Sequence, residues 1–275
     1  MQSPDYLVLG HITHDRLSAT TTRPGGTALY AAVTARRLGL QTGVLTAAAE
    51  LPDDLIATGP VVLLPSDVTS TFENRYSHGI RRQWLHAVAR PLDLAELPAS
   101  WRFAPIVHLG PVLHECSMEM IQAFPGALIG VTPQGWLRRW HDPLPTPTAY
   151  IPWRPAADLL RHISLLVLSS EDIAGDRALA EYYAHHCRLV VLTHGAEGAT
   201  LYIRGVPQHI PPHPATEVDP TGAGDVFAAA MLVQLYETGN PVMAAHFASV
   251  VAAAAVEGPG VQYIPSRAEV LRRMP

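Results

Sequence analysis

TEVDPTGAGDVFAAAMLVQLYETGNP, residues 216–241, sets a run of small and acidic residues directly against an almost wholly apolar stretch. The apolar part, 226–236, reads as a helix with no polar face, and such a helix is buried. A buried helix start leaves its first backbone N–H groups in need of partners. Gly222 and Gly224 let the chain turn tightly there and keep side chains off those amides. The helix dipole adds about half a positive charge at the same point, which makes an anion cradle. Asp225 falls within the first turn. A carboxylate repels an anion, but it can accept a proton from a hydroxyl that attacks phosphorus. Oxyanion donors beside a base describe phosphoryl transfer to a small alcohol. The plainer alternative is a glycine-rich N-cap in which Asp225 only complements the dipole.

Outward from this helix the chain repeats one pattern. Short apolar runs recur at "YLVLG" (6–10), "GVLTA" (43–47), "PVVLL" (60–64), "PIVHLG" (105–110), "ALIGV" (127–131), "SLLVLSS" (164–170) and "RLVVLTHG" (188–195). Unbroken runs suit strands covered on both faces, as in parallel sheets. Helix candidates lie between them, "TALYAAVTARRLG" closing at Gly39 and "SEDIAGDRALAEYYAHH" (170–186). The alternation predicts a doubly wound α/β fold with a mostly parallel sheet and helices on both faces. One segment departs from it. Residues 69–92 carry two alternating Arg- and aromatic-bearing stretches around "SHG", which reads as a β-hairpin that either forms a small lid or merely edges the sheet. The proline-rich 141–155 reads as a surface loop. With no repeat and no linker, 1–275 is expected to be one domain with that β insertion.

Composition narrows the chemistry. The chain holds 48% hydrophobic and 16% charged residues, enough apolar content for a sizeable core. A net charge of −5 disfavours a nucleic-acid surface. All 19 basic residues are arginines, so a Walker A loop, a protein-kinase lysine and Schiff-base chemistry are excluded. Bound phosphate must rest on backbone amides, arginine or a metal ion. Two cysteines in no motif suit a reducing compartment. The first residues lack the pattern of a signal peptide, and the apolar runs at 226–236 and 242–256 fall short of the ~20 residues a membrane span needs. A cytoplasmic setting, with no membrane and no nucleic-acid partner, is the expectation.

Four collinear pieces carry a resemblance. "DPTGAGD" (219–225) is similar to the C-terminal signature of the PfkB/ribokinase family of carbohydrate kinases. "RPGGTALYAAVTARRLGL" (23–40) resembles that family's di-glycine signature, "LVLGHITHDRL" (7–17) its first strand with an aspartate five residues beyond the glycine, and "VVLTHGAEGATLY" (190–202) its T-x-G-x-x-G segment. The resemblance implies a ribokinase-like fold and ATP with Mg2+ as cofactors. It implies that Asp225 is the catalytic base and that Gly222, Ala223 and Gly224 form the anion hole. Asp15, Gly25 and Gly26 would hold the acceptor. Thr193, Gly195, Gly198 and Asp219 would bind the nucleotide, and the β lid would close over the acceptor.

The match also departs from the family's pattern. Where the family has N-x-x-E, "LSSEDIAGD" (168–176) offers Asp172 or Glu171 as the metal-linked carboxylate, acting through water. After the di-glycine pair, Thr27 and Tyr30 replace the lysine and asparagine of many sugar kinases, which counts against ribose. "GVTPQGWLRRW" (130–140) resembles the inositol-kinase-like branch, with Gln134 and Arg138 reaching the acceptor or its phosphates. A cyclitol such as inositol is therefore the leading acceptor, with furanose sugars and nucleosides as alternatives. A lid with exposed edges also suits a homodimer. The rival of another class is a ligand-binding protein that keeps the fold without the chemistry. A metal site at His11, His14 and Asp15 would need a shared face that a strand end turning into a loop seldom provides.

Overall fold

The computed structural model describes residues 2–77 and 80–274. The chain begins with β1 (Tyr6–Leu9), β2 (Thr13–Arg16) and β3 (Thr22–Gly25), followed by α1 (Thr27–Arg37). β4 (Thr42–Ala48), the short α2 (Asp53–Ile56) and β5 (Val61–Pro65) come next, and then β6 (Ser70–Ser77) and β7 (Ile80–Ala87). The turn expected at "SHG" falls on His78 and Gly79, outside the described residues. β8 (Ile106–Leu109) and β9 (Leu128–Val131) return to apolar runs, and β10 (Arg138–Arg139), β11 (Thr146–Pro147) and β12 (Ala149–Tyr150) are two-residue strands. α3 (Ala157–Leu160), β13 (Leu165–Ser169), α4 (Arg177–His186), β14 (Leu189–Thr193), β15 (Ala199–Ile203) and β16 (Val206–Ile210) precede the C-terminal helices. Those are α5 (Ala223–Thr238), α6 (Pro241–Ala255) and α7 (Arg267–Arg273).

Nine strands form one sheet in the order β16-β15-β14-β13-β9-β8-β1-β4-β5. The pairs from β14 to β5 run parallel, and β15 and β16 close one edge antiparallel. Alternate side chains of each strand enter two separate cores. Tyr6, Val8, Val44 and Val167 pack with α1, α5 and α6, whereas Leu7, Leu9, Leu45 and Leu166 pack with Trp101, Phe124, Leu179 and Tyr183 on the other face. Both faces are covered, which is why the strand sequences show no alternation. Each fully buried Leu or Val contributes roughly 1.5–3 kcal/mol of transfer free energy.

Local chemistry sets the ends of the buried helices. Gly239, at φ +65°, ends α5 in the left-handed conformation. The Asn240 side chain then accepts from Val242 and Met243 amides to cap α6, whose first position is Pro241. The expected helix over 170–186 starts only at Arg177. Ser170–Asp176 instead forms a turn through Gly175 (φ +72°), and the Asp176 side chain caps Leu179 N–H.

Two expectations about the polar segments need correction. Residues 69–92 do not form a hairpin alone. β6 and β7 belong to a five-stranded sheet ordered β11-β7-β6-β2-β3 and drawn from three distant parts of the chain. The proline-rich 141–155 is not simply a surface loop, because Thr146 and Pro147 pair with Leu85 and Trp84, and Trp153 is buried against Trp136 and Tyr183. Prolines are tolerated there because β11 is an edge strand that need not donate to a ladder on both sides.

Candidate active site

The C-terminal ends of the parallel strands all face one crevice, the position where ligands bind open α/β sheets. Glycines allow the elements to meet there. A Cβ on Gly10 would lie 2.4 Å from Gly110 O, and one on Gly110 would lie 2.1 Å from the Thr27 methyl carbon. Bare Gly110 therefore seats Thr27, the first residue of α1, beneath the start of α5. From that seat Thr27 Oγ1 donates to Asp225 Oδ1 at 2.8 Å. Thr27 is 1% exposed, so this bond is shielded from water at its Thr27 end. Burial raises the Asp225 carboxyl to about 6, the Thr27 hydrogen bond and the Arg138 charge oppose that rise, and the Asp172 charge adds to it. A base near 6 is ionised at neutral pH and still basic enough to take a proton.

The cradle beside Asp225 is closed below and open above. Gly222, at φ +79°, caps α5, and a Cβ there would strike the Tyr30 ring at 2.5 Å. A Cβ on Gly224 would meet nothing within 4 Å. Protein atoms therefore do not crowd the cradle's outer face at Gly224. The amide of Ala223 differs from expectation, since it donates to Pro220 O at 3.1 Å. The Asp219 carboxylate pairs with Arg23 at 2.6 Å and accepts from Thr221 N–H at 3.0 Å, which holds it in the turn that enters α5.

Asp15 sits over the di-glycine pair, its Oδ2 2.8 Å from where a Gly25 Cβ would stand. Gly26, at φ +90°, lets the chain pass His11 O, which a Cβ would approach to 2.5 Å. Farther along the sheet edge, Gln134, Arg138, Glu171 and Asp172 converge with Arg82, Gln83 and Tyr150 around a cavity of about 490 Å³. Asp225, Asp15 and the di-glycine pair do not line this cavity. Asp172 and Arg138 link the two regions through their charges on Asp225. Asp172 Oδ2 accepts from Ser169 N–H at 2.9 Å and its Oδ1 from Gln134 Nε2 at 3.3 Å, while Arg138 Nη1 donates to Val112 O at 2.8 Å. Each Asp172 oxygen keeps a further lone pair, so contact with a hard cation through water fits this donor set. Among the described residues no group of three or more His, Cys, Asp and Glu side chains is placed to hold a metal ion directly.

Thr193 ends β14 beside Ser169, and Gly195 (φ +58°) and Gly198 (φ +87°) shape the turn into β15. A Cβ on Gly198 would strike Ile210 O at 2.3 Å, so that glycine has a packing reason of its own. Several residues of the site were not legible beforehand. Glu115, 3% exposed, takes His11, Val112 and Leu113 amides on its two oxygens at 2.8–2.9 Å and so ties the loops after β1 and β8 together. Nothing in its sequence surroundings marks it. Arg82 and Gln83 lie on a hairpin whose alternation gives a face but not the cavity that face meets. His11 is buried, bonded to Ser70 Oγ and Arg90 O.

Comparison with known proteins bears on the family and the fold. Residues 136–268 match the pfkB family carbohydrate kinase model. The chain is 25% identical to a cytidine kinase of Thermococcus kodakarensis, across 86% of its own length and 90% of the relative's. It is 31% identical to an inositol 3-kinase of Zea mays across 72% of its own length, and it spans about half of that enzyme, 54%. A solved pyrophosphate-dependent kinase of the ribokinase family, complexed with a pyrophosphate analogue and myo-inositol, superposes with a TM-score of 0.80 at 23% identity, covering 98% of this chain and 100% of that one. The fold and the family match together place the chain among ribokinase-fold phosphotransferases with an alcohol group as acceptor. Within that class the chain carries a PfkB family domain over residues 136–268.

Proposed function

We propose that this chain, as one domain, transfers the γ-phosphoryl group of ATP to a hydroxyl of a small polyol, with a cyclitol such as inositol as the first acceptor to test. The observation that carries the proposal is Asp225, a carboxylate raised to about 6 by burial and fixed by Thr27, standing beside the open face of Gly224. In this reading the acceptor oxygen forms a bond to phosphorus as its proton passes to the Asp225 oxygen that Thr27 leaves unbonded. The β,γ-bridging P–O bond breaks, and ADP departs with the electron pair. Backbone amides at the α5 start meet the charge on the transferred group.

Asp15 and the Gly25–Gly26 turn hold acceptor hydroxyls, with Gln134 and Arg138 reaching the same molecule or the phosphates. Thr193, Gly195 and Gly198 line the nucleotide side. Asp172 and Glu171 would hold Mg2+ through water, and the ion would supply charge neutralisation to the donor phosphates. The five-stranded sheet acts as the lid, excluding water that would otherwise take the phosphoryl group. A cytoplasmic setting belongs to the same proposal; no described helix is long and apolar enough to cross a membrane.

The inositol preference is supported by the plant relative and by the Gln134–Arg138 segment. The cytidine kinase relative makes nucleosides the second acceptor class. Pyrophosphate is the second donor to test, because the solved neighbour uses it. The test is a turnover assay of ATP and pyrophosphate against cyclitols, sugars and nucleosides, with Asp225→Asn as control. The variant is expected to lose on the order of 10²–10⁴-fold in kcat while keeping its melting temperature, since Asn still accepts from Thr27. Undiminished turnover by the variant would remove Asp225 from the chemistry. No turnover by the parent protein, with ligand binding indifferent to Asp225→Asn, would leave the ligand-binding rival.

A further inference from the structure

Three side chains from one short stretch, the end of β3 and the first turns of α1, meet the loop that enters α5. Arg23 pairs with Asp219, Thr27 donates to Asp225, and the Tyr30 ring lies under Gly222. Eight residues of one segment thus template seven of the other. Thr27 and Tyr30 act from a helix already fixed in the main core. Arg23 differs because it stands on the five-stranded sheet, opposite Asp15 in the β2–β3 register. Its ion pair is the contact by which that sheet reaches the cradle turn.

The Asp219 carboxylate is shared between two tasks. Oδ2 takes Arg23 Nη1 at 2.6 Å, and Oδ1 takes Thr221 N–H at 3.0 Å, one residue before Gly222. The backbone on the far side is fixed as well, with Val218 and Asp219 amides both donating to Val256 O. The carboxylate connects the turn to the second sheet. The side chains of the pair are 26% and 15% exposed, so the contact is half-shielded from water and salt. In the same corner two donors are buried without a hydrogen-bond partner, Arg23 Nε and Tyr30 Oη. Unpaired buried donors are uncommon and call for a reason. Here both lie where the β3–α1 segment packs against the cradle turn.

We propose that Arg23 is a positioning residue which, through Asp219, sets the cradle turn 219–224 to the position of the acceptor-side sheet. Movement of that sheet over an acceptor then aligns the amides that receive the phosphoryl group. The kinetic part of this proposal rests on the kinase reading; the structural part does not.

The test compares Arg23→Met, Asp219→Asn, the double variant and Arg23→Lys by two readouts. Amide hydrogen exchange of the whole chain without ligands compares residues 216–226 with β4. Steady-state turnover is measured with whichever donor and acceptor the parent protein uses. Arg23→Met is expected to speed exchange at 216–226 by about tenfold or more and to leave β4 unchanged, as a local opening does. It should lower kcat roughly tenfold to a hundredfold, with acceptor KM changed little, because misplacement of the cradle by about 1 Å costs up to that much. The double variant should be no worse than the poorer single, since both remove one interaction. Arg23→Lys should recover part of kcat, keeping the charge but not the fork. Additive losses in the double variant, exchange that rises equally in β4, or no change at 216–226 would each overturn the proposal. Should the parent protein show no turnover, the kinase reading fails and the exchange comparison still decides the structural part.

Discussion

In the nine-stranded sheet Leu166 stands between Val131 and Val190 and is fully buried. In the five-stranded sheet Glu73 faces Trp84 across the hairpin, and its carboxylate is gripped by Arg75 at 2.9 Å through two nitrogens and by His86 at 2.7 Å. Arg75 also lies over the Trp84 ring, and Arg16 of β2 reaches the other His86 nitrogen. The first sheet coheres by apolar burial on both faces. The second coheres by hydrogen bonds, ion pairs and stacking in partial contact with water, above a small apolar patch of Phe72, Leu85, Val112 and Leu113. A sheet bound this way can shift at modest cost, while the sheet beneath it keeps its strand ends fixed for chemistry. The candidate site lies where the two meet.

The largest expected effect is in the apolar sheet. Leu166→Ala leaves a hole in a fully covered layer and should destabilise the protein by about 2–5 kcal/mol. Urea titration followed by circular dichroism would measure it. A loss near zero would mean the core collapses around the hole, and the contrast between the sheets would fail at its stronger side.

At the junction the expected effect is on protonation. Thr27→Val keeps the packing against Gly110 but removes the hydrogen bond that holds the Asp225 carboxyl down. The acid limb of kcat/KM, expected near pH 6 in the parent protein, should move to higher pH in the variant. A pH–rate profile with any active acceptor would read it. The linked stability effect has the opposite sense to the usual carboxylate. Because the folded state raises the Asp225 pKa, the proton binds more tightly when folded, so this residue's contribution falls as pH rises from about 4 to 6.

The legibility of each region in the sequence follows from the same physics. Burial on two faces writes itself into local sequence as unbroken Val, Leu and Ile runs, and the seven runs read as strands lie in the main sheet. Polar pairing does not. Nothing local says that Thr13–Arg16 joins Ser70–Ser77 in parallel, or that Thr146 reaches Leu85, so only the hairpin 69–92 was visible. The site divides similarly. Gly222, Gly224 and Asp225 announce themselves because an apolar helix must begin somewhere. The Asp219–Arg23 pair was not visible, because Arg23 lies almost two hundred residues away in a strand whose sheet could not be foreseen.

The smallest expected effect tests the polar sheet. Glu73→Gln removes the charge that Arg75 and His86 share, yet such surface contacts are exchanged for water at little net cost. Its melting temperature should therefore stay close to that of the parent protein. The signature lies in pH. Hydrogen bonding from Arg75, with His86 adding to it, lowers the Glu73 carboxyl from 4.5 to about 2. A carboxylate depressed by folding contributes stability above its unfolded value and loses it as pH falls toward the folded one. Acidification from about 4.5 to 2 should therefore loosen β6 and β7 of the parent protein slightly, to the level the variant shows at every pH, and ahead of β13 and β14 by amide exchange. If β13 and β14 open at the same pH as β6 and β7, the two sheets unfold as one cooperative unit. The ion pairs would then ornament the second sheet without governing its movement, and closure would have to be driven by the apolar contacts beneath it.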